Sequence, residues 1–115
     1  MKVYDPAIVA REAVAAHPAR PAMAVVHDAP DARLVVFRLA AGQAVPVHTS
    51  VSSVVLHVLS GSGLVSSADG ERDVRAGMVV AYEPQEPHGM RALAEELIVL
   101  AVIAPRPASR RGPLE

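Results

Sequence analysis

The chain has 115 residues, 51% hydrophobic and 3% aromatic, with no cysteine and a formal net charge of −1. That length and apolar content suit one domain with an aliphatic core of Val, Leu and Ala, in which Met23, Met78 and Met90 can fill gaps. The balanced charge removes the electrostatic case for nucleic acid or an anionic membrane surface, and without thiols there is no disulfide, thiolate zinc site, iron–sulfur cluster or cysteine nucleophile.

The opening stretch MKVYDPAIVAREAVAAH carries Asp5, Arg11 and Glu12 through its apolar part, which a secretion signal would exclude. No apolar run approaches the ~18 residues of a membrane span, so the expected location is cytoplasmic. Asp5 followed by Pro6 reads as a helix N-cap with proline at the first helical position. Ile8, Val9, Ala13 and Val14 then share one stripe, and Pro18 is the expected stop. HPARP, from His17 to Pro21, reads as a stiff linker with His17 at the surface. Residues 1–21 thus form a helical arm.

From Met23 the texture changes to short apolar runs separated by turn residues. MAVVH and RLVVFRL flank a loop, DAPDA; AAGQ turns the chain into AVPVHTS, and SVVLHVL follows. LVSSA and RDVRA flank the hairpin pair Asp69-Gly70, and Ala76-Gly77 introduces MVVAY. After EPQEPH, the run ELIVLAVIA from Glu96 to Ala104 reads as a long buried strand. Strands at this spacing predict an all-β sandwich or barrel over residues 22–104. PRPASRRGPLE, residues 105–115, has no apolar period and reads as a flexible tail.

Gly42, His48 and Gly61 are followed by Gly77 and His88, with a strand and the turn EPQEP between the last two. From Leu34 to Ala104 this order resembles the cupin superfamily, small barrels whose two motifs bracket a variable hairpin. The resemblance implies a cupin-like double-stranded β-helix, or jelly-roll, barrel with a short N-terminal helix, and a homodimer. The first cupin motif supplies a His-x-His pair and a glutamate between its glycines. Here His48 fills the first slot, but Ser50 stands at the second histidine and Val54 at the glutamate. In the second motif Gly77 and His88 match, while Glu83 takes the proline slot, Gln85 the turn-glycine slot and Ala92 the asparagine slot.

Three histidines and a carboxylate are the usual donors of such a family site, and this chain keeps two imidazoles. His48 and His88 are therefore the candidate metal residues, holding a divalent ion such as Zn, Mn, Fe or Ni only weakly unless another ligand is recruited. Strand alternation turns His57 outward if Val54, Leu56 and Val58 point in. His27, at a strand end, reads as solvated or hydrogen-bonded. Glu83 would have to bend inward to replace the missing carboxylate, and Glu86 reads as a turn residue.

The expected function is a small cupin-domain protein that binds a small-molecule ligand, with or without a divalent metal, through His48 and His88. Ser50, Val54, Leu56, Val58, Tyr82 and Met90 are the expected pocket lining. Two other readings stand beside it: a metal-dependent oxygenase or isomerase, and a structural or sensor homodimer without metal. A barrel packed solid by Phe37, Leu56, Val58 and Met90 would favour the structural reading.

Overall fold

In the computed structural model, which describes residues 1–107, the carboxylate of Asp5 accepts hydrogen bonds from the N–H groups of Ala7 and Ile8 at 3.1 and 3.2 Å. Helix α1 (Pro6–Glu12) starts from that cap and stops at Ala13, whose backbone is extended, well before Pro18. Its buried residue is Ala10, while Ile8 and Val14 are 54% and 86% exposed. The expected stripe is therefore displaced. The small Ala10 side chain lets the helix backbone lie close to the sheet, and the Arg38 guanidinium donates to the carbonyls of Ala10 and Ala13, the latter at 3.1 Å.

Nine strands follow among the described residues. β1 (Ala22–Ala29) and β2 (Ala32–Leu39) form a hairpin in which Ala29 pairs with Ala32 and Asp28 with Arg33. Most of DAPDA thus belongs to the ladder, and Pro30 and Asp31 make the turn, where the preset φ of proline suits the first central position. β3 (Ala44–His48), β4 (Ser53–Ser60), β5 (Ser62–Ser67), β6 (Gly70–Arg75) and β7 (Val79–Tyr82) occupy the expected runs. β8 (His88–Ala92) falls where the sequence shows no strand pattern, and β9 (Leu97–Ala104) completes the set.

Two sheets result. One has the order β1-β2-β9-β4-β7 and the other β3-β8-β5-β6. Their facing sides enclose the main core, which includes Val35, Phe37, Leu39, Leu56, Val58 and Val99. A second cluster, Ala10, Val26, Val36 and Ile98, lies between α1 and the outer side of the five-stranded sheet. Alternation along β2 sends Val35, Phe37 and Leu39 to one core and Val36 to the other. This is why β2 and β9 read as nearly continuous apolar runs instead of alternating ones.

Residues 105–107, assigned to the tail by composition, are held in place. The Ser52 hydroxyl donates to the Pro105 carbonyl at 2.6 Å, Arg106 pairs with Asp28 at 2.6 Å, and Pro107 is buried. The rest of the expected tail lies outside the described residues. Among the described residues no helix is long and apolar enough to cross a membrane.

Candidate ligand site

His48 ends β3 and His88 begins β8, and the two residues are paired partners across the antiparallel ladder. Two features of the local sequence make this pairing. The register slips between Val45 and His48, so three steps along β3 match two steps from Met90 to His88 on β8. Strict alternation from Val45 would turn Val47 inward; the bulge turns His48 inward instead and leaves Val47 57% exposed. Gly89 supplies the second feature, because a Cβ there would lie 3.0 Å from the Val45 carbonyl oxygen and 3.1 Å from the Val47 backbone. A side chain here would push the β3 backbone away by a few tenths of an ångström, so the glycine permits the close approach of β8 to β3.

The two imidazole rings meet edge to face with centroids 4.3 Å apart. Each is oriented by its own strand end in the same way. His48 Nδ1 lies 2.9 Å from the Pro46 carbonyl oxygen, and His88 Nδ1 lies 2.9 Å from the Glu86 carbonyl oxygen. A carbonyl can only accept, so Nδ1 carries the proton in both rings, and in the neutral form each Nε2 keeps a lone pair. Burial holds the His88 pKa below the ordinary histidine value; the bond to the Glu86 carbonyl opposes this, and neighbouring His48 adds to the lowering.

Around the pair is a chamber of about 30 Å³ between the sheets, lined by both histidines and by Ser50, Val54, Leu56 and Met90 among the expected pocket residues. Phe37, Val45, Gly89, Ala101 and Ile103 complete the lining. Alternation with Val35 and Leu39 is the sequence signal that places Phe37 there, and the same rule places Ala101 and Ile103 with Val99. That volume admits about one water molecule. Val58 and Tyr82 are buried but lie outside the lining. The Tyr82 ring sits 5.1 Å from His88, and its hydroxyl turns away to donate to the Ser66 carbonyl at 2.7 Å. Burial, with a contribution from Glu86, pushes the Tyr82 phenol up to about 12.

The other candidates are placed elsewhere. His57 is exposed on β4. His27 Nδ1 meets the Tyr4 hydroxyl at 3.0 Å, tying the arm to β1. Glu83 is exposed, and the Glu86 carboxylate accepts from the Glu83 N–H at 3.0 Å, closing the turn before β8. Gln85 takes a left-handed φ of 68°, the conformation a glycine adopts freely, and its N–H donates to the Ser50 carbonyl at 2.7 Å. The Ser50 hydroxyl accepts from the Ser52 N–H at 3.1 Å.

Two facing sheets wound as a double-stranded β-helix, with a histidine pair on adjacent strands of the interior, define a small jelly-roll domain. The chain belongs to the cupin family: residues 35–103 match the family described as Cupin domain. It is similar to an RmlC-like cupin protein from Desulfovibrio desulfuricans, with 31% identity and a TM-score of 0.77 over 91% of this chain and 97% of that one. A protein from Thermus thermophilus is 28% identical, with a TM-score of 0.80 over 93% of this chain and all of that one (100%). A predicted oxalate decarboxylase from Thermotoga maritima shares the fold at 22% identity and a TM-score of 0.71, over 75% of this chain and 81% of that one. Comparison with curated proteins gives no match.

The donor set does not fit the metal centre that the family implies. Two neutral imidazole nitrogens are available, Val54 is a buried hydrocarbon, and the Ser50 hydroxyl already accepts a backbone hydrogen bond. Among the described residues no group of three His, Cys, Asp or Glu side chains could hold a metal ion. A divalent ion held by two nitrogens would draw its other ligands from water.

Proposed function

We propose that this cupin binds a small molecule at the mouth of its chamber, with His48 and His88 acting as neutral hydrogen-bond acceptors rather than as metal ligands. The observation that carries this reading is the anchoring of both Nδ1 atoms on backbone carbonyls, which leaves two Nε2 lone pairs as the free polar atoms of the pair. An acceptor pair in an apolar lining calls for hydrogen-bond donors. Water can satisfy it in the resting protein. A ligand that displaces this water must bring an O–H or N–H group, and with room for about one water its body stays outside the chamber.

A screen of small alcohols, amines, amides and carboxylate salts, read by nitrogen NMR of the imidazoles, tests this. Binders should carry a donor hydrogen, shift the His48 and His88 Nε2 signals, and lose affinity by about tenfold in His88→Ala. Binders confined to acceptor-only molecules would contradict it. So would stoichiometric metal in protein purified without chelator or nickel resin, if that metal disappears in His48→Ala.

A further inference from the structure

Outside the histidine chamber lies a second and much larger hollow. It occupies about 540 Å³ between the linker that follows α1 and the neighbouring edges of the two sheets, β1 of one and β3 of the other. Val14, Ala16 and Pro21 of the linker form one wall, Met23 of β1 a second, and Ala44, Val45 and Pro46 a third. Phe37 and Val45 line both this cleft and the chamber, and so form the partition between them. The lining contains one charged side chain, Arg20, which makes no ion pair among the described residues.

The linker is built into this position. His17 Nδ1 accepts from the Ala19 N–H at 3.0 Å, and the His17 carbonyl accepts from the Arg20 N–H at 3.0 Å. The Gln43 side chain donates to the Pro18 carbonyl at 3.1 Å while its own oxygen accepts from the Ala40 N–H. Pro18 and Pro21 limit the chain further. A cleft held open by its own backbone loses little ordering entropy when it is filled.

We infer that this cleft is a binding site for a small aliphatic carboxylic acid in its anionic form, its hydrocarbon body between the linker and β3 and its carboxylate on the Arg20 guanidinium. The volume lies in the range of small-molecule sites. Aliphatic side chains and the flexible thioether of Met23 suit a hydrocarbon of irregular shape. One guanidinium without an ion pair, and no second cation in the lining among the described residues, matches the single charge of a carboxylate and undercompensates a phosphate. The inference is independent of the reading of His48 and His88, which lie beyond the partition.

Calorimetric titration of the full chain with octanoate, octanol and octylamine tests it. Octanoate should bind about tenfold more tightly than octanol, and octylamine should not bind. Arg20→Gln, a change at an exposed residue, should bring octanoate down to the octanol affinity. Val14→Asp, also at an exposed position, should weaken octanoate further by placing a like charge in the wall. NMR shifts on adding octanoate should fall on Val14, Ala16 and Met23. Equal affinity of octanoate and octanol would overturn the inference, as would shifts confined to Ser50, Val54 and Ile103. A dimer whose formation shifts Val14, Ala16 and Met23 and which octanoate does not displace would assign the cleft to a second copy of the chain and overturn it equally.

Discussion

The His88 imidazole is buried where a positive charge is poorly solvated, so its folded pKa lies below the unfolded value near 6.5. Between those two values the unfolded chain takes up a proton that the folded chain refuses. The folded state is therefore penalised as pH falls through the unfolded pKa toward the folded one, and the penalty is absent above it. Urea midpoints should decline from pH 8 to pH 5, and the decline should be shallower in His88→Asn; identical slopes in the two proteins would remove His88 as the cause. Asp28 and Glu71 are held below their usual values by Arg33 and Arg91, so their contributions persist above the ordinary carboxylate range and are lost in more acid solution. A different constraint acts at Gly61, whose φ is +80° and whose hypothetical Cβ would lie 1.9 Å from the Glu96 carbonyl oxygen. Gly61→Ala should cost about 2–3 kcal/mol in chemical denaturation, because the oxygen that the new Cβ meets belongs to the backbone and cannot swing aside. A loss below about 0.5 kcal/mol, the ordinary surface value, would mean that the turn has another geometry.

Helix α1 has seven residues, well short of the roughly 12–15 at which an isolated helix begins to persist. It exists because Asp5 caps it, Ala10 is buried beneath it, and Arg38 binds its last carbonyls while Arg11 and Arg38 reach Glu96 at 3.3 and 3.7 Å. Arg38→Ala should loosen the arm without unfolding the barrel. Hydrogen exchange at residues 9–13 should quicken by an order of magnitude or more while β9 amides keep their protection, since each bond from a charged donor is worth about 1.5–3 kcal/mol before solvent screening. Unchanged exchange would show that Ala10 burial alone holds the helix. The elements also differ in how plainly the sequence announces them. β2, β4 and β9 are long, β-branched and apolar, and were readable as strands. β8 is not, because HGMRA holds one large apolar residue, a glycine and a charge; it becomes a strand by pairing with β3 on one side and β5 on the other. Helix periodicity misplaced the buried stripe because a two-turn helix packs through its smallest residue.

Across the whole molecule, the spacing of Gly42, His48, Gly61, Gly77 and His88 made the barrel legible, since turns and strand ends recur at intervals that the fold dictates. The chamber was legible in part. Ser50, Val54, Leu56 and Met90 could be placed by alternation and by the motif, but its volume depends on how Phe37, Ile103 and Met90 pack across the sheets, which no local pattern encodes. The cleft under the linker was invisible for the same reason, being a gap between segments distant along the chain. The order of the strands also bears on how the chain is made. β9 is the last of the nine strands among the described residues and lies in the interior of its sheet, joining β2 to β4. While the protein emerges from the ribosome, β2 and β4 each wait with an apolar edge uncovered, and neither can be completed until nearly all of the residues 1–104 have been released. The nascent chain therefore passes through its most adhesive state just before β9 emerges, when the two edges that β9 will cover are both made and both bare.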